Sequence, residues 1–288
     1  MLIQTKHLLT MLVVAGISAA AFPAKAATTV YNAGDILLGF RATSGQGSTT
    51  NLLVNIGSST TLRDSTSQIS LINIGDTLTS VYGSGWASST VLNWGLIGVG
   101  DTDPGGLVVN GDPNNTLYLS LPQSPVGNAP TIGAKKSTAF TLGGDGAVLS
   151  VGGAMSGVQA TFAAFNGTAD NSGRAAQIDT STSNTWNSYA TSGNDFNTGK
   201  NMEGLMSNTA GQVLDLYRVL RDVTVSGAAE TSGAVSRRTE WQGTISLSDS
   251  GQVTFDASPA AVPEPSRVLF LACGLASLVL RRRRAVRA

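Results

Sequence analysis

Two short alternating runs near the end of the chain constrain its architecture most. Trp241-Gln242-Gly243-Thr244-Ile245-Ser246-Leu247 and Gln252-Val253-Thr254-Phe255 flank Ser248-Asp249-Ser250-Gly251. Successive side chains of a strand point to opposite faces, so period-two alternation reads as a half-buried strand. Two such runs about a short turn containing glycine read as a hairpin. The same short apolar stretches recur upstream at Asp35–Arg41, Asn51–Ile56, Trp94–Val99 and Thr116–Leu121. Val213–Val219 has a pattern compatible with a strand beside the hairpin. Gly, Ser, Thr and Asn fill the gaps, as turns require. Many short strands with turn signals between them predict a mostly-β fold, with sandwich-like antiparallel sheets and a few short helices.

Helical signals are sparse. Asp76–Tyr82 has a capping residue at one end and Gly83 at the other, which predicts a short helix. Ser181–Ala190, with Trp186 and Tyr189, is a weaker candidate, and Ala154–Phe165 is ambiguous between helix and strand. No fixed-period repeat marks a solenoid or propeller.

Both ends carry a different composition. The leader has Lys6, then an apolar stretch from Leu8 to Ala21, then Pro23 and the small residues Ala24 and Ala26 around Lys25. This is the layout of a secretory signal peptide recognised by signal peptidase at Ala24 and Ala26 and cut after Ala26. The last residues run from Val262-Pro263-Glu264-Pro265-Ser266 into an apolar stretch, Val268–Leu280, followed by Arg281, Arg282, Arg283 and Arg284. As a helix the 13-residue stretch spans roughly 20 Å, against a hydrocarbon core of about 30 Å. Arginines at either side can snorkel to close the difference. The basic cluster is expected to stay cytoplasmic, which places the body outside. The chain then divides into a signal peptide (1–26), an extracellular mostly-β body (27–256), a linker with the Pro-Glu-Pro motif (257–266) and a transmembrane helix with a basic tail (267–288). An N-terminal signal helix and a single C-terminal transmembrane helix complete the expected fold.

That C-terminus resembles a PEP-CTERM sorting signal: a Pro-Glu-Pro motif, a short apolar helix and a terminal arginine run, in that order. Arg267, a charge directly after the motif, departs from the usual pattern and slightly shortens the span. The resemblance implies an exported protein of a Gram-negative bacterium, anchored in the membrane by the C-terminal helix until processed. It implies recognition of Val262, Pro263, Glu264 and Pro265 by an exosortase, a polytopic membrane enzyme with a catalytic cysteine. It further implies release or transfer of the body to the cell surface or to an exopolysaccharide matrix. The motif suits a protease substrate, because two prolines hold the backbone extended and block helix formation. The pieces YNAGDILLGFRAT, NLLVNIGS, VYGSGWASSTVLNWGLIGV and NTLYLS resemble more loosely a body type that such tail-sorted proteins carry.

The residues of the body narrow its chemistry. The only cysteine, Cys273, lies in the tail and the only histidine, His7, in the leader. A mature body then has no cysteine nucleophile, no Ser–His–Asp triad and no histidine-ligated metal. Between Ala27 and Val262 there are 10 basic residues and 17 acidic ones, a balance of −7. An acidic body repels phosphate backbones, so no nucleic-acid partner is expected.

Three kinds of residue could still do something. Asp101, Asp103 and Asp112 occupy positions 1, 3 and 12 of a calcium-like loop with Gly106 at position 6. Pro104, Gly105 and the lack of helical flanks make a plain surface loop the simpler reading, and no metal or other cofactor is assigned. Trp86, in the glycine-rich Gly83-Ser84-Gly85-Trp86, is the best candidate for an exposed platform stacking on sugar rings; Trp94, Trp186 and Trp241 read mainly as core. Scattered carboxylates allow a glycan hydrolase, which needs two acids facing one bond. The leading expectation is a non-enzymatic surface or biofilm-matrix protein. A module binding exopolysaccharide and a carboxylate-dependent glycan hydrolase are the alternatives.

Overall fold

The computed structural model describes residues 29–100, 108–109, 112–123, 132–135, 137–138, 142, 145–165, 172–190, 194–206, 212–220 and 239–257. The segments expected to be a signal peptide and a tail helix lie outside these residues, as do the Pro-Glu-Pro motif, the arginine cluster, Asp101 and Asp103. Among the described residues, no helix is long and apolar enough to cross a membrane.

The chain opens with an antiparallel hairpin of β1 (Asp35–Ala42) and β2 (Thr50–Ser58). A one-turn helix α1 (Ser59–Asp64) leads to β3 (Ile69–Asn73), then α2 (Gly75–Tyr82), a 3-10 turn at Trp86–Ser88 and β4 (Leu92–Val99). Two-residue strands β5 (Val108–Val109) and β6 (Asp112–Pro113) pair with each other before β7 (Leu117–Pro122). The long helix α3 (Asp145–Ala163) precedes β8 (Ala175–Asp179), the short α4 (Trp186–Tyr189), a 3-10 turn at Asp195–Asn197 and β9 (Gly204–Leu205). A meander of β10 (Val213–Val219), β11 (Thr239–Leu247) and β12 (Gln252–Ala257) completes the body.

Ten of these strands form one antiparallel sheet in the order β3-β12-β11-β10-β7-β4-β1-β2-β8, with β9 added on β4. The expected sandwich of separate sheets is therefore replaced by one continuous sheet that curls, bringing β3 back against β2. Register shifts at Ile36/Leu37, Leu216/Tyr217 and Val253/Thr254 supply bends where the sheet turns. The edge of β4 changes partner partway along. Ile97 to Val99 pair with β7, whereas Asn93 and Trp94 pair with β9. Ser120 spans the changeover, its Oγ accepting from Leu96 N at 2.8 Å and donating to Met202 O at 3.1 Å.

Each face of the sheet carries its own core. Ile36, Leu38, Phe40, Trp94, Leu216 and Phe255 face inward with Leu62 of α1 and Leu78 and Val81 of α2. Leu37, Leu53, Ile97, Leu119 and Tyr217 face the other way, under Val151, Met155, Val158 and Phe162 of α3. Burial on both faces explains why β1 and β2 read as apolar runs rather than clean alternations. Phe40 and Trp94 stack at 5.9 Å between centroids across the β1–β4 pair.

Helix α2 follows the sequence expectation closely. Leu78, Val81 and Tyr82 bury one stripe, and Gly83 stops the helix at φ 84°, its N–H returning to Thr79 O. Ile74 rather than Asp76 is the capping residue, and Asp76 falls within the first turn. Tyr82 Oη donates to Phe40 O at 2.9 Å and accepts from Leu52 N at 3.2 Å, tying the helix to both strands of the first hairpin. Helix α3 differs from the expected set of short helices. It has 19 residues and absorbs the ambiguous stretch after Ala154.

Candidate functional site

The most chemically loaded part of the body begins with a pair of glycines. Gly39 of β1 sits opposite Gly95 of β4. Trp186 of α4 lies on the window they leave. A Cβ on Gly39 would meet the indole at 1.9 Å, and one on Gly95 would meet it at 2.9 Å. The indole N–H donates to Glu203 Oε1 at 2.8 Å. Arg41, on the same strand as Gly39, donates from Nε to Oε1 at 2.9 Å and from Nη2 to Oε2 at 2.5 Å. Glu203 is 4% exposed, so one ion pair and one indole satisfy both oxygens of a carboxylate removed from water. Removing either partner of such a pair strands the other, which costs far more than the pair adds over an apolar replacement.

A second acid lies beside it. Asp195 is 1% exposed, and its Oδ2 accepts from Met202 N at 2.9 Å. Among the described residues its Oδ1 has no partner. Burial pushes the Asp195 carboxyl up to about 6, opposed by the Met202 N–H and reinforced by the Glu203 charge. The turn holding it is strained, with Phe196 at φ 52° and Asn197 at φ 60°. Phe196 is fixed there by an edge contact to Trp186 at 5.2 Å and a stacked contact to Tyr189 at 5.6 Å.

A carboxyl with raised pKa beside an ionised carboxylate is the pairing a glycosidase uses. Here the pair is closed off. Both acids are buried, and both oxygens of Glu203 are engaged by Arg41 and Trp186. The arrangement works as an internal clamp that ties α4 and the 195–205 segment to β1 and β4.

The second cluster contains the one described member of the calcium-like loop. Asp112 is 3% exposed, and its Oδ2 accepts from Tyr118 Oη at 2.5 Å. Its Oδ1 faces Arg63 Nη1 at 3.2 Å and accepts a short bond from Arg218 Nη2. Arg218 also donates to Glu240 Oε2 at 3.0 Å, and Arg63 to Asp64 Oδ1 at 2.7 Å. Hydrogen bonding to Asp64 raises the Arg63 guanidinium further above its usual range, with Asp112 adding to it. Burial and the bond to Asp112 together hold the Tyr118 phenol proton tightly. Five alternating charges thus join α1, β6, β10 and β11. Asp112 is occupied by two guanidinium groups and a phenol.

A third cluster pins a loop. Asp215 of β10 is fully buried; its Oδ2 accepts from Ser137 N and Oγ, each at 2.6 Å, and its Oδ1 from Gln123 Nε2 at 3.0 Å. Ser137 Oγ lies 2.9 Å from Tyr217 Oη, and burial pushes that phenol up to about 12. Lys135 sits over the Tyr217 ring at 5.6 Å. A phenol held this firmly protonated is a donor, not a base.

Trp86 corrects the sequence expectation. It is 3% exposed and belongs to the inner core, because the 3-10 turn at Trp86–Ser88 folds the indole beneath α2 rather than out of the loop. Trp94 and Trp186 are fully buried, and Trp241 is partly so. Among the described residues, no group of three acids, histidines or cysteines is placed to hold a metal ion. The charge pairs of the clamps around Glu203 and Asp112 leave no mark in the local sequence, since Arg41 and Glu203 are 162 positions apart and Asp112 and Arg218 are 106 apart. Facing glycines in two adjacent apolar strands were the sequence signal for the first. No family model, curated protein or solved structure matches this chain.

Proposed function

We propose that the protein is an exported, non-enzymatic component of the cell surface or extracellular matrix, delivered by a PEP-CTERM tail. The observation that carries this reading is the tripartite C-terminus, Val262 to Ala288, combined with a signal peptide at the other end. The span of the folded body agrees with it. Thr29 is already hydrogen-bonded to α3, three residues beyond the expected signal-peptidase site, and β12 ends at Ala257, five residues before Val262. An exosortase acting at Pro263, Glu264 and Pro265 would cut beyond the last strand and leave the sheet whole.

The body's buried acids support a non-catalytic role, because both members of the pair suited to acid–base chemistry are buried and both oxygens of Glu203 are engaged by Arg41 and Trp186. The sugar-binding alternative loses the platform proposed for it, since Trp86 is core. The deciding measurement is the intact mass of the protein recovered from its native host. A start at Ala27 and an end near Pro263 to Ser266 are expected. A mass that retains Arg281 to Ala288 overturns the sorting reading and makes the tail a lasting anchor.

A further inference from the structure

Residues 194–206 cross the α3 side of the sheet on few backbone bonds. Their strand, β9, has two residues, Gly204 and Leu205, paired with Trp94 and Asn93 of β4. Met206 N donates to Leu92 O at 2.9 Å, and Met202 O accepts from Ser120 Oγ at 3.1 Å. The 3-10 turn ahead of β9 holds Phe196 and Asn197 in the left-handed region, a conformation that persists only where its surroundings enforce it. Side chains do the enforcing. Phe196 is wedged against Trp186 and Tyr189, Glu203 joins Arg41 and the Trp186 indole, and Asp195 accepts from Met202 N. Segments with so little backbone pairing are the first to open locally.

The charges in this arrangement are unequal. Asp195 and Glu203 are both removed from water, and they are drawn together because Asp195 takes the N–H of Met202, the residue before Glu203. The guanidinium of Arg41 reaches them from β1, with Nε and Nη2 already engaged by Glu203. Ionising Asp195 places a second buried negative charge beside that glutamate, which low surrounding polarity penalises.

We propose that residues 194–206 form a latch over β1 and β4 that is shut while Asp195 is protonated and loosens when it ionises. The latch belongs to the body alone and stands whether or not the chain is exported. Opening carries both acids into water and withdraws Glu203 from Arg41 and from the indole. Trp186 then loses the bond that holds it in the window between Gly39 and Gly95.

The charged and titratable groups of each element around Asp195 are these. β1 brings Arg41. The segment itself brings Glu203 and Lys200, whose backbone O accepts from Asp195 N at 3.1 Å. α4 brings Tyr189, its Oη donating to Asn184 Oδ1 at 2.8 Å. β4 is uncharged from Leu92 to Val99, and α3, which packs against the turn, is uncharged from Gly146 to Ala163. Thr191, Ser192 and Gly193 add no charge. Burial, then the Glu203 charge, raise the Asp195 carboxyl to about 6 against the pull of the Met202 N–H and Arg41. The closed latch therefore holds this proton more tightly than the open one. The protection that follows is complete below about pH 4 and is lost as pH rises through about 6. From an open value near the ordinary 3.8, linkage allows at most about a hundredfold change in opening over the whole range. About tenfold is expected once water reaches the buried ion.

The test is amide hydrogen exchange of the full chain in detergent, read by mass spectrometry at pH 4.5 and pH 7.0 and corrected for the intrinsic pH dependence of exchange. Peptides covering residues 202–206 are compared with peptides from β11 and β12. At pH 7.0 the protection of 202–206 is expected to lie at least about tenfold below that of β11 and β12, and to rise about tenfold at pH 4.5. Asp195→Asn carries no charge at either pH and should give equal protection at both. Equal protection of 202–206 and the β11–β12 pair at pH 7.0 overturns the latch, because the segment then opens only with the whole body. Level protection of 202–206 across the two pH values in the parent also overturns it, and that result needs no variant to fold. So does an undiminished change in Asp195→Asn, which would place the titrating group elsewhere.

Discussion

Replacing Asp195 by Asn should abolish a pH dependence built into the Trp186 clamp. The Asp195 carboxyl is pushed from its ordinary 3.8 to about 6 because it is buried beside Glu203 with one oxygen unpartnered among the described residues. A raised folded-state value means that the native protein holds this proton more tightly than the unfolded chain. The associated stability is therefore complete below about pH 4 and is lost as pH rises through about 6. Two pH units correspond to about 3 kcal/mol at full strength. Relaxation and water penetration around a buried ion reduce this, so a change on the order of 1–2 kcal/mol is the working figure. For a domain of this size that is roughly 3–6 °C in melting temperature between pH 4.5 and pH 7.5. Asn keeps an oxygen for the Met202 N–H and carries no charge at any pH. Asp195→Asn should melt at or above the parent at pH 7.5 and show no slope between pH 5 and pH 7. Thermal melts followed by near-ultraviolet circular dichroism, at constant ionic strength, read both quantities. If the substituted protein keeps the parent's slope over that interval, the titrating group lies elsewhere and the reasoning about the clamp is wrong.

Three further outcomes follow from the same packing. Glu203→Ala strands Arg41 and the Trp186 indole, and should cost about 3–5 kcal/mol by urea denaturation, with Glu203→Gln milder because it still accepts from the indole. Gly39→Ala places a methyl at 1.9 Å from the Trp186 ring and should destabilise by about 1–3 kcal/mol or more, with a matching change in tryptophan fluorescence. Trp86→Ala removes a core side chain and should lower stability by about 3–5 kcal/mol, while the folded fraction is retained on the host's exopolysaccharide no less than the parent.

The strands were readable wherever one run of residues decided them. Alternation at Trp241–Phe255 and the dense apolar runs of β1, β2 and β4 needed no partner to be recognised, because burial on one or both faces is written locally. Helix α3 was not readable in the same way. Its Gly152, Gly153 and Gly157 weaken the helical signal, and its exposed face bears Gly153, Ser156 and Ala160 instead of charges, so no polar stripe contrasts with the buried one. Trp86 misled because a glycine-rich neighbourhood suggests exposure, whereas a 3-10 turn needs that same freedom to fold inward. The clamps escaped for a different reason. Arg41 meets Glu203 and Arg63 meets Asp112 only after the sheet has curled, and a charge on a strand carries no mark of a partner far along the chain.

The glycine window under Trp186 also bears on the order of events during folding. Strands β1 and β4 leave a gap at Gly39 and Gly95 that only an indole 147 residues after Gly39 can fill. A chain made from its N-terminus presents the first hairpin long before that indole arrives. Until then the centre of the sheet has a hole on its α3 side and an unneutralised Arg41 beside it. The early segment therefore gains little by consolidating on its own. Closure is deferred until most of the body has been made, and the sheet then locks as a unit around a single late-arriving ring.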